Sequence, residues 1–197
     1  MQLTIKPLTP ELFSAYLDYF DNRAFTKTDV NGPCYCTCPT QSSEEIDRMV
    51  SEFAGNVKST LRRYAESMLE EGRIHGYLAF DGETAVGWCN AADKGAYVPN
   101  RYQFIPDFAW DGDSGAVISV VCFSVAPDCR GKGVSTALLA RVVSDAKAAG
   151  YKAVEGYAHT RKAQEEFDFK GPKTLYEKLG FALAAEQDGV AVMRKIL

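Results

Sequence analysis

The stretch VVCFSVAPDCRGKGVSTALL occupies residues 120–139. Its left half closes a run, AVISVVCFSV (116–125), that is continuously apolar and β-branched, the pattern of a strand buried on both faces. Its right half opens a helical pattern, with Leu138, Leu139, Val142, Val143 and Ala146 at three- and four-residue steps and Gly150 to close it. Between the two stand Arg130, Gly131, Lys132 and Gly133. Glycine is a poor residue with which to begin a helix unless bare backbone is needed there. The first helical N–H groups have no intrahelical partner, and the helix dipole adds a partial positive charge. A glycine turn with two cations at that point suits an anion, a phosphate or pyrophosphate.

Outward from this junction the pattern is mixed. LTIKPL (3–8) alternates like a half-buried strand, and Thr9-Pro10 then starts a helix through ELFSAYLDYF. Residues 21–42 have no period and hold the cysteine cluster, so they read as a loop. From 43 to 71 one apolar stripe runs through Ile46, Met49, Phe53, Val57, Leu61 and Met68, with Ser42 or Ser43 as cap and a break expected at Gly55-Asn56. IHGYLAFD and ETAVGWCNA read as a hairpin turning at Asp81-Gly82. One of Trp88, Cys89 and Asn90 is expected to line a cleft. Residues 93–115 form a long aromatic loop whose acids, Asp107, Asp111 and Asp113, could hold a cation or simply be solvated. KAVEGYA is a further strand, 172–179 a short helix, and two strands around Asp188-Gly189 finish the chain. The expected fold class is α/β, a mixed, mostly antiparallel sheet flanked by helices, in a single domain over residues 1–197.

The net charge of -4 argues against a nucleic-acid partner. No apolar run approaches the length of a membrane span, and the N-terminus has no leader pattern, so a cytoplasmic protein is the expectation. Of six cysteines, Cys34, Cys36 and Cys38 crowd into GPCYCTCPT. Zinc sites favour C-x-x-C pairs and a fourth ligand, and neither His75 nor His159 is near in sequence, so no metal is expected.

Three kinds of anion turn can be compared with the junction. A nucleotide P-loop needs Gly-Lys-Ser/Thr, and the chain has Gly-Lys-Gly. The dinucleotide fingerprint needs a third glycine where Thr136 stands. The third pattern, R-x-x-G-x-G/A, is matched by Arg130, Gly133 and Ser135, with serine in the last place. Here the sequence resembles the GCN5-related N-acetyltransferase (GNAT) family. Residues 120–139 resemble its strand-turn-helix acetyl-CoA motif, and TLYEKLGF (174–181) resembles its second hallmark, so the likeness runs over about 117–181.

That resemblance implies a sheet that splays open at the cofactor. It implies acetyl-CoA as co-substrate, with its pyrophosphate on Arg130, Gly131, Lys132, Gly133, Val134, Ser135 and Thr136. It implies pantetheine along Phe123, Ser124 and Val125, one of whose N–H groups would polarise the thioester. Tyr176 would be the general acid for the leaving thiolate. An amine-bearing small molecule or peptide would accept the acetyl group, and a homodimer is compatible with the pattern. Two positions depart from the family, Phe169 for an asparagine and Pro172 for an alanine. The general base is not readable: His159, at a strand end beside the cleft, is a candidate for catalysis or an ordinary strand-end polar residue, and Glu155 shares its strand. Two alternative readings keep part of this. A non-catalytic acyl-CoA sensing module keeps Arg130 to Ser135 without needing Tyr176, and a metal- or redox-responsive protein would use Cys34, Cys36 and Cys38.

Overall fold

The computed structural model describes residues 1–26, 32–110, 116–160 and 169–197. In chain order the elements are β1 (Leu3–Pro7), α1 (Phe13–Asn22), α2 (Ser43–Ser51), α3 (Val57–Glu70), β2 (Gly76–Asp81), β3 (Thr84–Asp93), β4 (Val117–Val125), α4 (Val134–Ala148), β5 (Ala153–His159), α5 (Lys173–Lys178), β6 (Ala182–Gln187) and β7 (Val190–Ile196). The expected break in the long helical stripe is present. Ser42 and Glu45 form a reciprocal capping box on α2, and Asn56 caps α3 by accepting from the Ser59 N–H at 3.1 Å. Two starts differ from expectation. Thr9-Pro10 opens a single 3-10 turn, and α1 begins only at Phe13. The β2–β3 turn is Gly82-Glu83, because Asp81 still pairs with Thr84. At the β6–β7 turn Asp188 and Gly189 both take positive φ, 53° and 84°, as a tight hairpin requires.

All seven strands join one sheet in the order β1-β2-β3-β4-β5-β7-β6. Every pairing is antiparallel except β4 with β5. That parallel pair holds only from Val117↔Ala153 to Val120↔Gly156. Beyond it β4 runs on to Val125 and β5 to His159 without pairing with each other, so the sheet opens as a wedge. Neighbouring residues of β3 show what covers each face. Gly87 faces Val134 of α4, whereas Trp88 meets Tyr16 of α1 edge-on at 4.8 Å. The core on the α1 side is aromatic, with Tyr16, Tyr19, Tyr35 and Trp88 fully buried.

One polar group is buried beneath the wedge. Glu155 on β5 takes Lys94 Nζ at 3.0 Å and Arg194 Nε at 2.6 Å, with Lys94 and Glu155 each 1% exposed. Paired carboxylates tolerate such burial where lone ones do not. Among the described residues no helix is long and apolar enough to cross a membrane.

Candidate active site

The wedge opens into a cavity of about 900 Å3. One wall is the end of β4, with Ser124 and Val125, and the start of α4. The other is the cysteine loop with Met49 of α2, Leu61 of α3 and Phe53 of the link between those helices.

The turn before α4 has the form that the residues demand. Gly131 and Gly133 sit at φ +74° and +82°, a region costly for any side chain, and nothing lies within 4 Å of where a Cβ would be. The glycines therefore serve conformation and leave the backbone open. Arg130, Gly131, Lys132 and Gly133 are exposed, Val134 is buried as the anchor, and Ser135 and Thr136 are half-buried. Arg130 Nε donates to the Val125 carbonyl at 3.3 Å, which ties the turn to the end of β4. The N–H groups of Val134, Ser135 and Thr136 lie in the first turn of a fifteen-residue helix and have no carbonyl to bond within it. This set fits a diphosphate.

The end of β4 departs from a free strand edge. The Phe123 N–H, on the edge that faces the wedge, donates to the Phe169 carbonyl at 2.6 Å. The Tyr176 hydroxyl donates to the next carbonyl, that of Lys170, also at 2.6 Å. Tyr176 is fully buried and does not line the cavity. Its ring lies over Gly156 so closely that a Cβ there would fall 2.1 Å from a ring carbon. Two consecutive carbonyls of the 169–171 segment thus occupy the Phe123 N–H, one of the three that the sequence resemblance offers to the thioester, and the Tyr176 hydroxyl. Ser124 is different: its Oγ lies 2.9 Å from the Tyr19 hydroxyl, whose pKa burial pushes well up.

His159 is half-buried at the end of β5, edge-on to Phe169 with ring centres 6.2 Å apart, and it lines the cavity. Glu155 does not line the cavity; ion pairs with Lys94 and Arg194 hold its carboxylate. Asp107 is exposed and accepts from Gln103 Nε2 at 2.9 Å, beside a smaller cavity shared with His159 and Lys170. Asp111, Asp113 and most of the 160–171 connection lie outside the described residues.

The cysteine loop holds the residues that sequence reasoning left unassigned. Cys36 is 4% exposed, sits at φ +52° and faces the cavity. Its N–H donates to Cys34 Sγ at 3.1 Å, and its sulfur accepts from Asn90 Nδ2 at 3.3 Å. The Asn90 amide is oriented by Tyr97, whose hydroxyl donates to Asn90 Oδ1 at 2.7 Å. Cys122 of β4 lies against the same sulfur, and its own sulfur is 3.7 Å from the Phe123 carbonyl. These contacts set Cys36 apart. Cys122, Asn90 and the neighbouring Trp88 side chain pull its thiol below the ordinary value despite burial. Burial pushes Cys38 up to about 11 and Cys34 and Cys89 well up, while donation toward Cys36 raises Cys122. Of Trp88, Cys89 and Asn90, none lines the cavity itself; Asn90 reaches it through Cys36. Strand alternation could have paired Trp88 with Asn90, but not named their face. Among the described residues no group of three or more His, Cys, Asp or Glu is placed to hold a metal ion.

A model of the acetyltransferase (GNAT) family matches residues 44–181. No curated protein matches the chain in sequence. Among solved structures, the chain resembles an N-acetyltransferase of Thermoplasma acidophilum in complex with coenzyme A, at 17% identity, 100% coverage of both chains and a TM-score of 0.53. It also resembles an acetyltransferase of the GNAT family from Streptococcus pneumoniae, at 15% identity, 100% coverage of both chains and a TM-score of 0.52. A third is a candidate acetyltransferase of Salmonella typhimurium with its cofactor acetyl-CoA, at 14% identity, 99% coverage of this chain, 94% of that one and a TM-score of 0.52. At these identities the likeness establishes the fold, a mixed and mostly antiparallel open sheet flanked by helices.

Proposed function

We propose, since the chain belongs to the GNAT acetyltransferase family, that it moves an acetyl group from acetyl-CoA to a primary amine of a small molecule or peptide. The observation that carries this reading is the open glycine turn beside the wedge, with the Phe123 N–H on the strand edge that faces it. In this reading the diphosphate lies on the N–H groups of Val134, Ser135 and Thr136, with Arg130 and Lys132 adding charge. The thioester carbonyl takes the place held by the Phe169 carbonyl, so that the Phe123 N–H stabilises the oxyanion. Tyr176 turns from the Lys170 carbonyl to protonate the departing sulfur. His159 stands on the cavity wall, in reach of an acceptor amine as its base.

The acceptor is an amine carried on an apolar body. Met49, Phe53 and Leu61 line its end of the cavity, and among the described residues no carboxylate does.

One observation favours a second reading, an acyl-CoA-binding module without transfer: both catalytic donors are already bonded within the chain. A panel of apolar amines, followed by free thiol release from acetyl-CoA, separates the two. Acetyl-CoA binding with no amine-dependent release supports the module, and binding with release supports the transferase. With release established, Tyr176→Phe at saturating acetyl-CoA is expected to lower kcat about 100-fold. Undiminished turnover would remove Tyr176 as the acid.

A further inference from the structure

We propose that Cys36 and Cys122 form a reversible oxidation site, joined by a disulfide when a peroxide enters the cavity. Both residues line that cavity, Cys36 from the loop wall and Cys122 from β4. The register of the sheet brings them together. Cys122 stands directly opposite Asn90 in the β3–β4 pairing, so both side chains leave the same face. Asn90 Nδ2 donates to the Cys36 sulfur at 3.3 Å, and the Cys122 thiol donates toward that same sulfur. Two sulfurs in that contact need only a modest side-chain rotation to bond. Cys34 is nearer in sequence, but its sulfur is held by the Cys36 main-chain N–H at 3.1 Å, and burial pushes its thiol well up.

Of the pair, Cys36 is placed to react first. Asn90 presents its NH2 to the sulfur because Tyr97 holds the amide oxygen at 2.7 Å. Such donors favour the thiolate, the form that attacks a peroxide, and Cys36 is the one thiol of the six shifted that way. Cys122 donates and so keeps its proton, as a resolving thiol does until its partner is oxidised. The Trp88 indole N–H is fully buried and unbonded in the structure. Two residues before Asn90 on β3, Trp88 leaves the same face of the sheet and is among the groups around the Cys36 sulfur. A buried donor left unbonded is costly, and an oxygen added to that sulfur gives it an acceptor.

The chemistry balances with hydrogen peroxide as the oxidant. The Cys36 thiolate attacks one peroxide oxygen, the O–O bond breaks, and the departing oxygen takes up the proton that Cys36 released and leaves as water. Cys36 is then a sulfenic acid. The Cys122 sulfur attacks the Cys36 sulfur, the S–O bond breaks, and the hydroxyl leaves with the Cys122 proton as a second water. The two thiols have lost two electrons and two protons, and the peroxide has gained both. A dithiol reductant reverses the bond by exchange. In the oxidised form the cysteine loop is tied covalently to β4, so the two walls of the cavity are held together at that point.

Acetyl transfer plays no part in the test. The full chain is treated with hydrogen peroxide, its remaining thiols are blocked, and the unreduced peptides are mapped by mass. The expected product is the Cys36 peptide joined to the Cys122 peptide, two hydrogen atoms lighter than the separate pair and parted by dithiothreitol. Cys36 should be consumed at least about tenfold faster than Cys34, Cys38, Cys89 or Cys129. In Cys122→Ser the link is lost and Cys36 stops at the sulfenic acid, which dimedone traps. In Cys36→Ser the link is lost and Cys122 remains a thiol. The wild-type map stands even where a variant folds poorly. A link from Cys36 to Cys34 or Cys38, or free Cys36 and Cys122 after the other thiols have reacted, overturns the proposal and leaves the transferase reading intact. A chain that links Cys36 to Cys122 yet releases no thiol from acetyl-CoA with any amine loses the transferase reading alone.

Discussion

The glycine turn and the cysteine loop face each other across one cavity and are built on opposite principles. The turn is exposed main chain: two glycines at positive φ, three unbonded helical N–H groups, and two cations in solvent. The loop is buried side chain, a sulfur held by an amide that is itself held by a phenol. A turn of the first kind binds whatever carries the right phosphate geometry, because backbone donors are the same at every residue. A site of the second kind has chemistry of its own, because its reactivity depends on which side chains surround the sulfur. One end of the cavity therefore depends on main chain and the other on the identity of its side chains.

Breaking the turn should give the largest effect. Gly131→Val with Gly133→Val forces β-branched residues into left-handed backbone at about 1–3 kcal/mol each. We expect acetyl-CoA to bind about 100-fold more weakly by calorimetry, with Cys36 alkylation by iodoacetamide unchanged. If alkylation falls as well, the two ends are not independent. A smaller effect follows from charge alone. Arg130→Ala with Lys132→Ala should weaken acetyl-CoA binding about tenfold at low salt, and the difference should shrink as salt screens these exposed groups. A salt-independent loss would mean that Arg130 acts through its bond to the Val125 carbonyl instead. The loop is sharpened by Asn90→Leu, which removes a donor to the Cys36 sulfur. The pH at which Cys36 becomes alkylated should move up, because only the ionised form accepts that bond strongly, while acetyl-CoA affinity stays put. An unmoved pH profile would show that Asn90 does not tune the thiol.

The same contrast explains what could be read from residues in a row. The turn, the two helix caps at Ser42 and Asn56, and the break between α2 and α3 all depend on neighbours within a few positions, so local pattern was enough. The surroundings of Cys36 depend on Asn90, 54 residues away, and on Cys122 beyond it. Only the sheet register joins them, and alternation along β3 cannot say which face is which until the helices are placed. The β2–β3 turn slipped by one residue because Asp81 suits both a turn and a strand end. The carbonyls of Phe169 and Lys170 belong to the main chain, and no side-chain pattern marks them.

Those two carbonyls bear on what the protein can tell apart. In the proposed reading, an acyl oxygen at the Phe123 N–H would displace an oxygen of the same kind, so the count of hydrogen bonds there would be unchanged. Little discrimination between loaded and unloaded coenzyme can come from that contact. Free coenzyme A should then bind nearly as tightly as acetyl-CoA, and accumulating product should slow the reaction unless something else in the cell draws it away.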